Sequence, residues 1–251
     1  MNDLFDLKGK VAIVTGGTTG LGEGMAMGLA EAGADIMLVD ITESNNTVEK
    51  IKSMGRKVHL KLTDLSKMES ILEVVEETIS IFGKIDILVN NAGIIRRTPA
   101  IDFSEKDWDD VMNLNSKTVF FLSQAAAKDM MKRGSGKIIN VASLLAFSGG
   151  INVPSYSASK GAVAQITKAL ANEWASKGIN INAVAPGYMI TNNTANLRKD
   201  PERTQSISER IPADRWGTPE DLKGPAVFLA SKASDYLNGH ILLVDGGWMA
   251  R

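Results

Sequence analysis

The sequence predicts an α/β protein: a doubly wound sheet of seven parallel strands with helices on both faces. Three features of its patterning carry this expectation. Short runs rich in Val and Ile alternate with longer stretches of helical periodicity. The runs are almost continuously apolar, as in Val11-Ala12-Ile13-Val14 and Ile85-Asp86-Ile87-Leu88-Val89. Strands covered on both faces lose the alternation of a half-exposed sheet, and β–α alternation through short links winds strands parallel. The third feature is uniformity: no linker, repeat or low-complexity tract interrupts the 251 residues. One domain over 1–251 is expected, a length that a single α/β core can serve.

In chain order, the first strand (11–15) is an apolar run halted by a glycine-rich turn. The helix over 20–32 stops where Gly33 offers a left-handed C′ position. The second strand (35–39) leads into Asp40, and a helix follows over 45–54. Next come a strand over 58–62, a helix over 67–82 and a strand over 85–90. Ser104-Glu105-Lys106-Asp107 supplies an N-cap and an acidic first turn, so one long helix is expected over 105–132. The fifth strand (137–142) runs into Ser143, and a helix (156–177) and the sixth strand (179–185) follow. Residues 186–218 break the rhythm, being polar and without strong strand character. They leave the C-terminal end of a strand, where open α/β sheets carry ligands, so a substrate lid is expected there. A helix over 219–231 and a strand over 241–244 complete the set.

Composition narrows the function. Lys and Arg number 28 against 29 Asp and Glu, a net charge of −1. That balance gives no electrostatic case for nucleic acid or an anionic membrane surface. With no cysteine, thiolate catalysis, disulfides and Cys-ligated zinc are excluded. His59 and His240 are the only histidines and lie far apart, so no metal site is expected. No basic, apolar leader and no run of about 18 apolar residues is apparent. The expectation is a cytoplasmic protein acting on small molecules, with no nucleic-acid or membrane partner.

The first strand runs into Thr15-Gly16-Gly17-Thr18-Thr19-Gly20-Leu21-Gly22 and then a helix. Glycines there permit a tight turn and let backbone approach a pyrophosphate at the helix N-terminus. A lone glycine pattern is weak, but strand–turn–helix context makes it a dinucleotide site. Asp40, about 20 residues on, is placed to accept from adenosine ribose hydroxyls and to repel a 2′-phosphate. Thr19, before Gly20, supplies no cation for such a phosphate. NAD is therefore expected over NADP.

Chemistry is expected at Tyr156-Ser157-Ala158-Ser159-Lys160, with Ser143 thirteen residues before the tyrosine. Tyr156 and Lys160 share one helical face. A tyrosine of pKa about 10 exchanges protons poorly near neutrality. An ammonium at ~4 Å and an effective dielectric of ~20 would stabilise its phenolate by about 4 kcal/mol, enough to bring Tyr156 into acid/base range. Ser143, at a strand's end, could hydrogen-bond a substrate carbonyl.

Taken in order, these motifs resemble the short-chain dehydrogenase/reductase family over essentially the whole chain. They are Thr15-Gly16-x-x-x-Gly20-x-Gly22, Asp64-Leu65, Asn90-Asn91-Ala92-Gly93, Asn113-Leu114-Asn115, Ser143, Tyr156 with Lys160, and Pro186-Gly187 with Thr191. The resemblance implies a Rossmann-type fold with Tyr156 as acid/base and Ser143 orienting the carbonyl. Lys160 would lower the Tyr156 pKa and bind the nicotinamide ribose, and Asn115 would hold a water in the proton relay. Gly16, Thr19, Gly20, Leu21, Gly22 and Asp40 form the first part of the implied cofactor site. Asp64 and Leu65 serve the adenine, Asn91, Ala92 and Gly93 lie beside the cofactor, Pro186, Gly187 and Met189 join them, and Thr191 contacts the carboxamide. The family also packs the helices 105–132 and 156–177 across a dyad, which implies a homotetramer through residues such as Val119, Phe120, Ala162, Ile166 and Leu170. The tail 248–251 is then a candidate to cross a subunit boundary.

Ile94-Ile95-Arg96-Arg97 narrows the substrate, because arginine at a strand's C-terminal end can grip a carboxylate. Arg96 is the first choice, with Arg97 and the lid arginines as alternatives. Within the family the chain resembles the members acting on sugar acids. This implies NAD(H)-linked interconversion of the C5 ketone and alcohol of a 3-deoxy-2-keto sugar acid. Members acting at C5 of gluconate share the Arg-Arg element, and a 3-oxoacyl-thioester reductase or a non-catalytic NAD-binding regulator are the other candidates. A hydrolase lacks its G-x-S-x-G.

Overall fold

A computed structural model describes residues 2–251. The elements run α1 (Asn2–Phe5), β1 (Val11–Thr15), α2 (Gly20–Glu31), β2 (Asp35–Asp40), α3 (Asn45–Ser53), β3 (Val58–Leu62), α4 (Met68–Phe82) and β4 (Ile87–Asn90). They continue with α5 (Glu105–Met112), α6 (Thr118–Arg133), β5 (Gly136–Val141), α7 (Pro154–Trp174), β6 (Ile179–Pro186), α8 (Ala195–Arg198), α9 (Pro201–Ser208), α10 (Lys223–Ala230) and β7 (Ile241–Val244). The seven strands form one parallel sheet in the order β3-β2-β1-β4-β5-β6-β7. The order reverses between β1 and β4, which opens a crevice at the strands' C-terminal ends.

Every residue of β1 and β4 is buried, which is why their sequences read as unbroken apolar runs. One core layer packs α2, α3 and α10 on the sheet through Met25, Leu29, Ile51 and Leu229. The other packs α4, α6 and α7 through Val74, Leu122, Met130 and Leu170. At the edge, β3 is only half-buried, and its outer residues His59 and Lys61 bond Glu77 of α4 at 2.7 and 2.6 Å. Charge on an edge strand discourages pairing with another chain. Among the described residues, no helix is long and apolar enough to cross a membrane.

Element limits differ from expectation in instructive places. The strand expected over 85–90 starts at Ile87, because Ile85 turns its amide to the Asp129 carboxylate at 3.0 Å. The expected single helix over 105–132 is α5 and α6, joined by a five-residue π turn, Asn113–Lys117. The helix expected from 156 begins at Pro154, a residue suited to a first helical turn, and ends in a 3₁₀ turn, Ala175–Lys177. The segment 186–218 lacks strands, as expected, but holds α8 and α9, and its Ile207, Ile211 and Trp216 pack on Leu144 and Trp248. The tail 248–251 thus folds onto its own chain: Trp248 is 7% exposed and Arg251 donates to the Glu209 carbonyl at 3.1 Å.

Candidate active site

The crevice at the β1/β4 reversal is one continuous cleft. Gly16, Thr19, Gly20 and Leu21 line it after β1, Asp40 after β2, Asp64 and Leu65 after β3, and Asn91, Ala92 and Gly93 after β4. Tyr156 and Lys160 form its far end, and Thr191 stands over it from the candidate lid.

The first loop owes its shape to glycine. Gly16 (φ +59°) and Gly20 (φ +56°) adopt left-handed backbone that β-carbons disfavour. A β-carbon at Gly22 would collide with the Gly16 carbonyl, so Gly22 works by close packing rather than as part of the cleft lining. Thr19 caps α2 without a side-chain hydrogen bond, leaving the helix N-terminus open toward the cleft. Asn91 sews this loop to β4: its Nδ2 donates to the carbonyls of Thr15 (2.9 Å) and Gly16 (3.0 Å), and Thr15 Oγ1 accepts from the Asn91 and Ala92 amides.

Asp40 faces the cleft with its carboxylate already ordered. Oδ2 accepts from the Thr18 hydroxyl (2.6 Å) and amide (3.1 Å), while Oδ1 accepts from the amides of Ile41 (2.8 Å) and Thr42 (3.3 Å). Asp64 accepts from the Ser66 amide at 2.9 Å, and that hydrogen bonding holds its carboxyl below the usual range.

At the opposite end, the α7 helix presents Tyr156 and Lys160 one turn apart. Lys160 is almost wholly buried and donates from Nζ to the Val141 carbonyl at 2.6 Å. Burial lowers its pKa to about 8. Tyr156 moves the other way. Burial raises its hydroxyl above the ordinary phenol value, against a hydrogen-bonding pull from Ser143 and the positive charge of Arg97. Lys160 Nζ lies 5.6 Å from the Tyr156 ring centroid, and burial is the first cause of the shift in both groups. Ser143 Oγ accepts from the Leu145 amide at 3.1 Å, which fixes it at the end of β5.

Asn115 is fully buried in the π turn. Its Oδ1 accepts from the Ile94 amide (2.8 Å), and its Nδ2 donates to the Ile94 carbonyl (2.9 Å) and to Ser159 Oγ (3.1 Å). Its side chain thus fastens the loop after β4 to the π turn and to α7.

The two arginines separate. Arg96, the first choice for a carboxylate, pairs with Asp107 at 3.2 Å. Arg97 donates to the Asn193 carbonyl on the candidate lid at 2.9 Å and is the one whose charge reaches Tyr156. Arg198 is tied to the Thr191 carbonyl and Arg215 to Asp221, so neither stands free over the cleft. At the end of β6 and just after it, Met189 is buried in the core, and Pro186, Gly187 and Met189 are not among the residues lining the cleft. Gly187 approaches Asp245 so closely that a β-carbon would meet its backbone at 2.7 Å.

Sequence reasoning passed over Val39, Ile41, Thr63, Ile94, Leu114, Val141, Asn192 and Asn193, all on the cleft wall. Most flank residues that were singled out, and the rule that strand C-termini carry ligands would have found them. Leu114 stood inside the Asn113-Leu114-Asn115 motif, but its place on the wall follows from the π turn.

A family model described as Enoyl-(Acyl carrier protein) reductase matches residues 16–249. The curated 2-dehydro-3-deoxy-D-gluconate 5-dehydrogenase of Dickeya dadantii is 61% identical over 248 residues, covering 98% of each chain. A solved protein of Agrobacterium tumefaciens with bound NADP is 51% identical, with a TM-score of 0.93 over 99% of this chain and 100% of that one. The gluconate 5-dehydrogenase of Burkholderia cenocepacia, solved in complex with NADP and tartrate, is 39% identical, with a TM-score of 0.95 over 100% of this chain and 99% of that one.

Proposed function

The chain belongs to the short-chain dehydrogenase/reductase family, and from that premise we propose that it interconverts the C5 ketone and alcohol of 2-dehydro-3-deoxy-D-gluconate. It is an oxidoreductase that requires a nicotinamide cofactor. The observation that carries the substrate is full-length 61% identity to the Dickeya dadantii dehydrogenase, joined to Arg97 at the cleft rim, bonded to the carbonyl of the lining residue Asn193.

The residues present fit a dinucleotide. Left-handed glycines and an uncapped helix N-terminus make a pyrophosphate cradle, and a β-carbon at Gly20 would project toward Thr191 across it, 3.6 Å from Cγ2. Asp64 and Leu65 would take the adenine and Lys160 the nicotinamide ribose. We read the cofactor as NAD rather than NADP. Asp40 would set a negative charge beside a 2′-phosphate, and among the described residues the only cation on the cleft wall is Lys160, at the other end. The NADP bound by the two solved relatives makes this a direct point of test.

A bound nicotinamide supplies or accepts the hydride; positioning and proton transfer fall to the chain. Ser143 and Tyr156 hold the C5 oxygen, and Tyr156 gives its proton to that oxygen on reduction or receives one on oxidation. Arg97 supports both ends of this task. Its positive charge offsets part of the rise that burial imposes on the Tyr156 pKa, and it would hold the substrate carboxylate, while Arg96 stays with Asp107. Residues 1–251 act as one domain with 186–218 as its lid, and the working form is a homotetramer.

The test is cofactor absorbance with 2-dehydro-3-deoxy-D-gluconate, gluconate, an acyl thioester and a neutral ketone, each with NAD(H) and NADP(H). The sugar acid should lead with NAD(H). Arg97→Ala should raise its KM about 10- to 100-fold, the worth of one charge-assisted hydrogen bond, and leave the neutral ketone unchanged. Arg96→Ala should change KM less than about threefold. Thioester turnover with inert sugar acids would replace this function with thioester reduction.

A further inference from the structure

We propose that Asn113, which opens the π turn, and Thr118, the residue that follows it, are positioning residues for the adenine half of the cofactor. The inference rests on the dinucleotide reading of the cleft.

Asn113 Nδ2 donates to the Ser66 carbonyl at 2.9 Å. The Thr118 hydroxyl, in a buried setting, donates to the Leu65 carbonyl at 2.7 Å. Both carbonyls belong to the loop after β3, whose Asp64 and Leu65 line the cleft. Neither Asn113 nor Thr118 lines the cleft itself, so they act through this loop. Thr118 also lies 3.2 Å from the Asn113 carbonyl, closing the π turn on itself. Within the turn Leu114 forms cleft wall, and Asn115 grips both the amide and carbonyl of Ile94.

One irregular turn therefore fastens two loops, after β3 and after β4, at either side of the cleft. A regular helix would keep each backbone donor on the carbonyl four residues back. The π turn adds a residue to the circuit and changes the side-chain directions within it, an irregularity that often occurs at functional sites. Here it lets Asn113, Leu114 and Asn115 each meet a different part of the cleft. The loop carrying Asp64 is a short turn closed by the Lys67 amide on the Asp64 carbonyl at 3.2 Å, and the two side-chain bonds from Asn113 and Thr118 tie its Ser66 and Leu65 carbonyls to the rest of the fold. Removing one leaves a carbonyl short of its partner, and the loop is expected to relax, withdrawing Asp64 and Leu65 from the adenine.

The test is titration calorimetry of the apoprotein with ADP-ribose, which carries the adenine half, and with nicotinamide mononucleotide, which does not. Thr118→Val removes the hydroxyl with little change of shape. It should weaken ADP-ribose about fivefold, the net worth of one hydrogen bond, and leave nicotinamide mononucleotide unchanged. Asn113→Ala should behave alike, and Thr118→Ser should restore wild-type affinity. Amide exchange over 63–66 should speed in the valine variant but not in the serine one. Unchanged ADP-ribose affinity in folded Thr118→Val, or equal weakening of both ligands, would overturn the inference. Wild-type protein that binds neither ligand would overturn the dinucleotide reading, and this inference with it.

Discussion

Lys160 concentrates the conflict between stability and chemistry at the residue scale. An ammonium almost wholly buried beside one carbonyl is poorly solvated, and its pKa falls from 10.5 to about 8. Because the folded value lies below the unfolded one, the cost is fully present below about pH 8, where both states are charged. Between about 8 and 10.5 the unfolded chain holds more protons, so stability rises with pH. The displacement corresponds to about 3 kcal/mol at neutral pH. Lys160→Met should therefore raise Tm of the apoprotein at pH 7 by up to about 8 °C, and most of that gain should vanish near pH 10. Turnover should drop at least about a hundredfold. Thermal scans at the two pH values decide this, and an unchanged Tm at pH 7 would show that the ammonium finds solvation in the cleft. The Tyr156/Lys160 pair was legible in the sequence because helical spacing places both on one face. The direction of their pKa shifts was not, since burial depends on Val141 and the rest of the cleft wall. The choice of Arg96 before Arg97 had no firm basis for a related reason: neighbours in an irregular loop have no fixed facing, and Asp107 and the Asn193 carbonyl set where each of them points.

At the scale of elements, strands were the most readable parts, because double-sided burial writes itself as unbroken apolar runs. The π turn was invisible, as one extra residue barely disturbs the helical pattern of a long segment. The excursion at 186–218 read as a featureless lid because its helices are short and its apolar anchors sparse. Those anchors matter. Ile207, Ile211 and Trp216 close around Leu144 and Trp248, Arg210 lies 4.2 Å from the Trp248 ring, and Trp216 Nε1 donates to Ser208 Oγ at 3.0 Å. The tail thus clamps the lid from below while Arg97 holds it at Asn193. Trp248→Ala removes packing of about 3–5 kcal/mol for a buried aromatic, borne locally by this cluster. The expected result is faster limited proteolysis within 195–216 and a KM for the sugar acid raised about tenfold. Unaltered cleavage would free the tail of any part in lid closure.

Across the whole molecule, seven strands and their parallel sense could be read directly, but not the neighbour relations that join β1 to β4, which depend on the face each connecting helix covers. The same limit applies to surfaces. Of the apolar residues on the two long helices, Val119 and Leu170 are consumed by the core. Phe120, Phe121, Ala162 and Ile166 are only half-buried and line a shallow apolar hollow shared by α6 and α7. Contiguous apolar surface of this kind marks an association site, and a near-neutral chain offers little repulsion against it. If four copies assemble through this face, Ile166→Glu should bury a charge without a partner and split the tetramer into smaller particles in size-exclusion chromatography with light scattering. The loss should reach the active site, because α7 carries Ile166 and, about two to three turns earlier, Lys160 and Tyr156. Loosening its outer packing should lower kcat several-fold without changing the ordinary KM for NADH. A wild-type monomer, or an Ile166→Glu protein that keeps the wild-type particle size, would leave that face to some other use and detach catalysis from assembly.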